Sequence, residues 1–467
     1  MNWKIIYKSL KSRDMLARVG AVLGLIVVYR FLAHVPVPIA EPATLKDVIG
    51  HAISSNSFGG FLNLLTGGAL ASFSIMLVGL SPYITASVFT QMLTKAIPSV
   101  EEINKDGESG RRRINQWTRI LSLPLAILQS IAYIFILRQS IAPQSNVLQD
   151  MQLGQWAIAV VAMAASSMLI MWLGEIITEK GLGGGITLLI VVGIISQMPQ
   201  TCLSLWQAMT TVKGDPFHVF NWFTISGLNN TATWMTMGVI LAIIVILYFL
   251  VKINEGQRVL TINYARRVHG NSQYGGVTSI LPIKLITAGV IPVIFAVAFL
   301  ALPAFLGQLM VAGNFHPEIG RNLILWFQRN NSSVLDGWAQ LIYPVTYFIL
   351  VVIFTYFYTS IVLNTRELAE SLQNQGGFID GVRPGKRTER YLRQVINRLT
   401  LFGSIALGII SVLPFLGEHI MINAGMGAAA STLSLGGTGL LIIVTGALEC
   451  LRQINSRALM VTYDEYR

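Results

Sequence analysis

SIMLVGLSPYITASVFTQMLT, residues 74–94, is long enough to cross a membrane, yet it is too polar to face lipid on every side. On a helix, Ser74, Ser81 and Thr85 share one face. Further small and hydroxyl residues lie near the opposite face: Gly79, Tyr83, Ser87, Thr90 and Thr94. Such residues let helices approach closely, and Pro82 predicts a kink in mid-span. The segment therefore belongs at an interface between helices that can be wet and can move.

The composition of the whole chain indicates a polytopic membrane protein. Of 467 residues, 53% are hydrophobic and 12% are charged, against about 25% charged in a soluble domain. A helix needs roughly 20 mostly apolar residues to cross a bilayer. Ten such runs are predicted as spans: 18–35, 73–94, 117–137, 155–177, 185–205, 234–252, 283–305, 339–363, 399–416 and 436–455. We expect one membrane domain and no large soluble one.

The basic residues predict how the spans are oriented. An even number of spans puts both termini on one side, and most of the 33 Lys and Arg fall on that side. The exceptions are Arg30 within the first span and, on the opposite side, Lys46, Arg138, Lys213, Arg321 and Arg329. Positive charge marks the cytoplasm, so both termini are predicted to be cytoplasmic. The basic surface can attract anionic lipid or an anionic partner such as RNA. We interpret the first span as a retained helix, not a signal peptide.

Ten spans can divide into two halves, predicted here as 1–233 and 234–467. Five spans per half would invert one half relative to the other, and inverted repeats place the functional path at their interface. The second half holds two large cytoplasmic loops, 253–282 and 364–398. The later loop contains Val382-Arg383-Pro384-Gly385, a rigid turn that presents an arginine to a partner.

An unusual segment, FGGFLNLLTGGALASF at 58–73, separates the first two spans. Its apolar part, Phe61 to Thr66, is too short to span and is bracketed by glycine pairs. Non-helical backbone at membrane depth is tolerated only where protein or a water-filled cavity surrounds it. The pattern predicts a re-entrant segment near 58–72 that enters a cavity. An outer loop packed on the helix ends is the alternative.

The residues give no support for catalysis, a metal site or a cofactor site. The six histidines are dispersed, without the spacing of a metal-binding motif. Glu175 and Glu179 lie one turn apart beside Lys180, as expected of a solvated helix end. The glycine run 181–185 lacks the Lys-Ser/Thr of a phosphate-binding loop and predicts a tight turn.

A secondary transporter with inverted repeats is the alternative function. Ion-coupled transport usually needs ionisable residues at membrane depth. The predicted span centres almost lack them, with Arg30 as the main exception. A channel with an apolar constriction that closes by dewetting fits this pattern better.

Further motifs join residues 74–94 in one resemblance. They are EEINKDGESGRRRINQWTR (101–119), WLGEIITEKGLGGGITLLI (172–190), QRVLTINYARRV (257–268), LPIKLITAGVIPVIF (281–295), LNTRELAESLQNQGGFIDGVRPGKRTERYL (363–392) and GGTGLLIIV (436–444). In this order they resemble the SecY family of protein-conducting channels in its bacterial form. The resemblance implies an all-α membrane protein of ten transmembrane helices, in two inverted five-helix halves around an hourglass pore. It also implies that the chain translocates unfolded preproteins across the cytoplasmic membrane and releases transmembrane segments laterally into it.

The resemblance assigns four groups of residues. The apolar pore ring would be Leu80, Ile84, Ile186, Ile190, Ile294 and Ile442. The plug that closes the pore would include Phe61, Leu62, Leu64, Leu65, Thr66, Gly67 and Gly68. The lateral gate would include Ser81, Thr85, Ser87 and Leu302. The sites that dock a motor or ribosome would be Arg258, Arg266, Arg267 and Arg383.

The resemblance also implies partners but no enzymatic activity and no cofactor or metal. The partners are the small membrane subunits SecE and SecG, the SecA ATPase motor, the ribosome, and polypeptides that bear signal sequences, all within a lipid bilayer. The chain departs from the family at Gly184, where many relatives carry asparagine. It departs mildly at Leu80, a ring position that is often isoleucine.

Overall fold

Apolar helices form at every predicted span in the computed structural model. The structure describes residues 13–37, 69, 74–141, 153–181, 183–211, 216–219, 223–264, 267–269, 272–274, 278–287, 289, 291–313, 315–327, 341–423 and 439–456. Within this part of the chain, eight helices are long and apolar enough to cross a membrane. Gly185–Gln200 is a shorter apolar helix, and residues 439–456 form a helix at the tenth predicted span. The ten-span layout and the predominantly helical fold class are confirmed.

The first half contains six labelled helices and two short strands. Its elements are α1 (Arg13–Leu32), a 3-10 turn (Ile75–Leu77), α2 (Ser81–Ala96), α3 (Pro98–Lys105), α4 (Glu108–Ile141), α5 (Leu153–Lys180), α6 (Gly185–Thr211), β1 (Pro216–Val219) and β2 (Phe223–Asn229). The strands β1 and β2 pair antiparallel after α6. The short helix α3 precedes α4 on the side where the basic residues concentrate, which we call the basic end.

The second half combines spans with a larger extramembrane part. Its elements are α7 (Asn230–Glu255), β3 (Gln257–Tyr264), β4 (Arg267–His269), β5 (Ser272–Tyr274), β6 (Thr278–Lys284), α8 (Ile291–Ala312), α9 (Pro317–Phe327), α10 (Ile342–Val362), α11 (Thr365–Asn374), β7 (Gly377–Ile379), α12 (Lys386–Asn423) and α13 (439–456). The seventh span starts at α8, later than predicted, because residues 278–284 pair as a strand with β3.

Contacts between helices repeat from one half to the other. In the first half, α1 contacts α5, α2 contacts α4, and α4 contacts α5. The corresponding spans of the second half make the same set of contacts: α7 with α12, α8 with α10, and α10 with α12. This repetition agrees with two related bundles of spans, although the boundary at 233/234 stays a prediction. The halves meet where α8 contacts both α2 and α4.

The two loops predicted at 253–282 and 364–398 join in one body at the basic end. β3 pairs antiparallel with β6 from Gln257↔Lys284 to Asn263↔Thr278, and with β7 from Ile262↔Ile379 to Tyr264↔Gly377. The result is a three-stranded sheet in the order β6-β3-β7. We call this sheet, with α11 and residues 386–399 of α12, the loop module.

An apolar core holds the loop module together. Alternate residues of the sheet point to one side, and they pack against α11 and α12. The buried members are Leu260, Ile262, Ile283, Ala369, Leu372, Ile379, Leu392, Val395 and Ile396. Because α12 continues without interruption into the ninth span, the module is attached to the membrane domain through a rigid helix.

A second attachment links the loop module to α8. The segment from β6 to α8 passes Leu285, whose backbone N–H donates to the Gly256 carbonyl at 2.8 Å. On its other side, the α12 backbone at Gly403 lies so close to the Leu285 carbonyl that a Cβ atom there would overlap it. The start of α8 is thus held between the end of α7 and the middle of α12.

We expect Leu392→Ala to loosen the loop module, because Leu392 is fully buried in its core and such truncations cost about 2–5 kcal/mol. Amide hydrogen exchange should accelerate in β3 and β7. Leu401→Ala, at an exposed position on the same helix, should leave that exchange unchanged. Equal exchange in the two variants would show that the sheet does not depend on this core.

Candidate functional site

The second span is broken rather than kinked. Residues Ile75–Leu77 form a 3-10 turn, Gly79 adopts φ 56°, and α2 begins only at Ser81. Pro82 lies in the first turn of α2, where the missing N–H of proline costs no helical hydrogen bond. The prediction that Pro82 kinks a continuous helix is therefore wrong. Pro82 instead lies at the start of a new helix.

Serine hydroxyls satisfy the backbone around this break. The Ser166 hydroxyl donates to the Ile75 carbonyl, and the Ser167 hydroxyl donates to the Gly79 carbonyl at 2.9 Å. The Ser74 hydroxyl donates to the Leu32 carbonyl at 3.0 Å and accepts from a backbone N–H within the turn. Since unpaired backbone groups are costly inside a membrane, α1 and α5 determine where the broken segment lies.

All six residues predicted for the pore ring come together in one apolar cluster. They are contributed by the start of the second span, α6, α8 and α13. Leu80, Ile190 and Ile442 are buried members of this cluster, and the half-buried members are Ile84, Ile186 and Ile294. Residues up to 362 positions apart in the chain therefore belong to the same apolar core.

An open cavity of about 470 Å³ lies over this cluster. Four ring residues line it: Ile84, Ile186, Ile190 and Ile294. Polar side chains from the basic end also line it: Asn115, Arg119, Glu175, Glu179 and Glu449. The cavity thus has a charged mouth and an apolar interior, an arrangement that admits water at one end and disfavours it at the other.

Charged contacts stabilise the mouth of the cavity. Arg119 Nε on α4 lies 2.7 Å from Glu175 Oε1 on α5; a partly exposed pair of this kind contributes at most about 1 kcal/mol. Arg452 Nη2 donates to the Asn254 carbonyl at 3.0 Å and so joins α13 to α7. Burial and the nearby Arg452 lower the pKa of the Lys284 ammonium, whereas Glu449 acts in the opposite direction.

Gly184, where the chain departs from its predicted relatives, also lines the cavity. A Cβ atom placed there would lie 3.3 Å from Thr187 Oγ1 and 3.8 Å from Glu449 Oε1. A longer polar side chain at this position would therefore point at Glu449, a residue that the sequence motifs did not single out. The glycine leaves that carboxylate accessible from the cavity.

The predicted lateral gate lies at the contact between the halves. Ser81 and Thr85 are on α2, where the Thr85 hydroxyl donates to the Ser81 carbonyl at 3.0 Å. The Tyr133 hydroxyl on α4 forms a hydrogen bond with the Ser81 side chain. The Tyr133 ring meets Phe305 on α8 edge-on, with centroids 6.3 Å apart. Leu302 lies on the same helix, half-buried.

Each of the three helices that meet here carries a glutamine with a buried side-chain oxygen. Gln91 on α2, Gln129 on α4 and Gln308 on α8 each bury a side-chain oxygen that accepts no hydrogen bond from the described part of the chain. The Gln91 amide nitrogen does donate to Ser87, a predicted gate residue, at 3.0 Å. A buried acceptor without a partner costs about 1–3 kcal/mol. Each of these oxygens therefore needs water or a donor from outside the described part of the chain.

The predicted docking residues lie on or near the loop module. Arg258 is exposed on β3, and Arg383 is exposed in the turn between β7 and α12. The Arg383 carbonyl accepts from the Thr388 hydroxyl at 2.9 Å, and Gly385 adopts φ 97°, so the predicted tight turn is present. Arg267 lies on β4, and Arg266 falls outside the described residues.

The predicted plug residues also fall outside the described residues: Phe61, Leu62, Leu64, Leu65, Thr66, Gly67 and Gly68. The nearest described position is Ala69, which is fully buried. Its carbonyl accepts from the Ser74 backbone N–H at 2.8 Å. Ala69 is thus attached to Ser74, at the start of the broken second span.

Comparisons with known proteins agree on one family. The SecY family model matches residues 74–451. The chain is 35% identical to the protein translocase subunit SecY of Corynebacterium glutamicum and 34% identical to that of Mycobacterium tuberculosis, over 98% of each chain.

Solved structures share the fold. A structure described as that of a protein-conducting channel matches 92% of this chain and 91% of its own, with a TM-score of 0.58 and 16% identity. A SecY structure from a study of the plug domain gives a TM-score of 0.60 at 18% identity, over 94% and 91%. Sec61 from a canine ribosome-channel complex matches with a TM-score of 0.54 and 17% identity, over 92% of this chain and 91% of its own.

We expect Ser167→Ala to destabilise the protein by about 1–3 kcal/mol, because the buried Gly79 carbonyl loses its donor. The midpoint of thermal unfolding in detergent, followed by tryptophan fluorescence, should fall. Ser360→Ala is the matched control, since its exposed hydroxyl only returns to its own helix at the Phe357 carbonyl. A midpoint as high as that of the control would show that α5 does not support the break.

Proposed function

The chain belongs to the SecY family, and we propose that it is the channel through which unfolded preproteins cross the cytoplasmic membrane. In the same proposal, transmembrane segments leave the channel sideways into lipid. The observation that carries this function is an open cavity lined by four of the six predicted ring residues, all six of which belong to the apolar core of the membrane domain. The charged groups lining that cavity come from helix ends, and the secondary-transporter alternative is not supported.

The aliphatic cluster suits a passage that carries many sequences. Branched aliphatic side chains offer no hydrogen bonds, so they can surround a moving polypeptide without retaining any particular residue. When no polypeptide is present, an apolar constriction sheds water and excludes ions by dewetting. We assign the pore ring to Leu80, Ile84, Ile186, Ile190, Ile294 and Ile442 on this basis. This role needs no catalytic residue.

The seam between α2, α4 and α8 suits a lateral gate. A segment in the pore could pass between these helices and partition by its own hydrophobicity. Leu, Ile and Phe at a span centre favour the bilayer by about 0.3–0.6 kcal/mol each, whereas Asp, Lys and Arg oppose it by about 2.5–3.5. The ring contact of Tyr133 with Phe305 crosses from α4 to α8, which supports a seam that opens between the 1–233 and 234–467 halves.

The plug would complete the closed state. Residues 58–72 fit this role because Ala69, near their end, is bonded to Ser74 and is buried in the same apolar core as Leu80. A short apolar segment at this point could cover the constriction from the side opposite the basic end. Movement of the broken second span would then displace the plug and open the gate together.

The loop module suits a docking surface on the cytoplasmic side. Positive charge marks the cytoplasm, so the basic end and both termini would face it. Arginine pairs with both RNA phosphate and protein carboxylates, as the ribosome and the SecA motor would require of Arg258, Arg266, Arg267 and Arg383. Two rigid attachments, through α12 and through Leu285, connect this surface to the membrane domain. SecE and SecG are the proposed membrane subunits.

We expect Ile294→Asn to make the resting channel leak ions, because an amide in the ring stabilises water there. The conductance of purified channels in planar bilayers should rise. Ile195→Asn provides the control, since Ile195 is exposed on α6 and lies outside the ring. If both variants stay as tight as the unaltered chain, Ile294 is not part of the seal.

We expect Arg383→Glu to impair export while leaving the thermal midpoint of the channel unchanged, because the side chain is exposed and supports no internal contact in the described structure. Translocation of a preprotein into proteoliposomes, driven by the motor, provides the measurement. Arg387→Glu changes the same charge at an exposed position four residues away and should have a weaker effect. Normal export by the Arg383 variant would remove the docking role.

A further inference from the structure

The helix α9 packs tightly against the end of α8 that is remote from the loop module. A Cβ atom at Gly307 would lie 2.7 Å from the Gly320 carbonyl oxygen, and one at Gly320 would lie 2.8 Å from the Gly307 carbonyl oxygen. The two backbones are therefore in direct contact, without intervening side chains. Small residues permit such close approach between helices in membranes, so α9 and this end of α8 form one rigid unit.

The contact between α8 and α9 lies on the side of α8 opposite the seam with α4. Phe305, which meets Tyr133 of α4, is two residues from Gly307. Two residues correspond to about 200° of rotation around a helix, so α9 and α4 contact nearly opposite faces of α8. Helix α9 therefore does not cover the surface where α8 contacts α4. It packs on the side of α8 that faces away from the first half.

The exposed part of α9 is divided into an apolar side and a polar side. Gly320 faces α8 and is buried. Ile319 and Trp326, which are 52% and 45% exposed, project from one flank. On a helical wheel, Glu318 and Arg321 are exposed and lie about 80–160° from that flank, whereas the exposed Asn322 borders it. Phe315, just before α9, is 73% exposed as well.

We propose that α9 is an interfacial helix that rests in the lipid leaflet opposite the basic end and anchors that end of α8 to it. The apolar flank would lie at the boundary between acyl chains and headgroups, with Asn322 at its edge, and Glu318 and Arg321 would face water. Amphipathic helices of this kind bury their apolar face about 5–10 Å into the boundary. Tryptophan is enriched at this depth because its ring is apolar and its N–H is polar.

Lipid is the occupant that the surroundings favour. Helix α8 is itself a membrane span, and it exposes the large apolar residues Phe299 and Leu306, which lie two helical turns apart on one face. The apolar flank of α9 begins alongside that span. A protein partner would need a complementary surface, whereas a bilayer is already required by the eight apolar helices.

The anchor has a consequence for the channel proposed above. If α8 moves when the seam opens, α9 must move with it, because their backbones touch. The free energy of that movement then includes the displacement of an amphipathic helix in the leaflet. The lipid composition around α9, which lies outside the pore, would therefore shift the equilibrium between the closed and open gate. The location of α9 in lipid does not itself depend on the channel function.

Site-directed fluorescence can test the location of α9 in the full chain. Both cysteines are first replaced by serine, and an environment-sensitive dye is attached to Ile319→Cys, Trp326→Cys, Arg321→Cys or Leu306→Cys. Each protein is reconstituted into vesicles of phosphatidylethanolamine and phosphatidylglycerol. Quenching by nitroxide lipids reports contact with acyl chains, and quenching by iodide on both sides reports contact with water. Leu306→Cys is the lipid-exposed reference and Arg321→Cys is the matched water-exposed control.

We expect the dye at 319 and 326 to be quenched by nitroxide lipids about as strongly as at 306, and to be shielded from iodide. The dye at 321 should show the reverse. Strong iodide quenching at 319 and 326 would place the helix in water and overturn the proposal. Protection from both quenchers would also overturn it, since a protein surface would then cover the flank. The thermal midpoint of each labelled protein verifies that it is folded.

Discussion

Satisfaction of a broken backbone inside the membrane is the constraint on which the structure depends. The second span interrupts its helix between Ile75 and Leu80, where water cannot provide the missing hydrogen bonds. The Ser166 and Ser167 hydroxyls of α5 donate to two carbonyls that the break leaves without a helical partner, and the Ser74 hydroxyl donates to the end of α1. This arrangement starts α2 at a defined position and so positions Leu80 and Ile84, which we assign to the ring, and Ser81, which we assign to the gate. A regular helix would need none of these contacts and would position none of these residues in the same way.

The molecule combines a soft seam with a stiff module. Between the halves, α8 contacts α2 and α4, and the edge-on pair of Tyr133 and Phe305 is part of that contact. At the basic end, the loop module has its own apolar core, and α12 carries it without interruption into the membrane. Because the module also holds the start of α8 through Leu285, a force applied to its surface reaches the helix that borders the seam. A rigid module can therefore transmit a force to a seam whose contacts separate more easily.

Hydropathy was sufficient to predict the spans, because burial in lipid depends on long apolar runs and little else. Sequence alone does not determine the effect of Pro82, because a proline can kink a helix or begin one. Only the contacts that Ser166 and Ser167 make with the preceding backbone decide between these two structures. The β3–β7 pairing joins Ile262 to Ile379, and no periodicity in either loop indicates a partner so distant in the chain. The ring residues followed from family resemblance, since six aliphatic residues among so many carry no signal of their own. Tyr133, Phe305 and Glu449 were missed for the same reason.

The buried amides at the seam explain how a closed channel can remain ready to open. A purely apolar seam between α2, α4 and α8 would be stable when shut, since every group would be satisfied. Gln91, Gln129 and Gln308 instead place side-chain oxygens there without a donor in the described part of the chain. Each such group raises the free energy of the closed form by about 1–3 kcal/mol, and a parted seam would expose it to water or to a donor on an entering segment. The aliphatic ring has the opposite preference, because opening it to water is unfavourable. In the proposed gate, an apolar seal that favours closure would then be balanced by polar groups that favour opening, and a hydrophobic segment entering the seam would shift that balance.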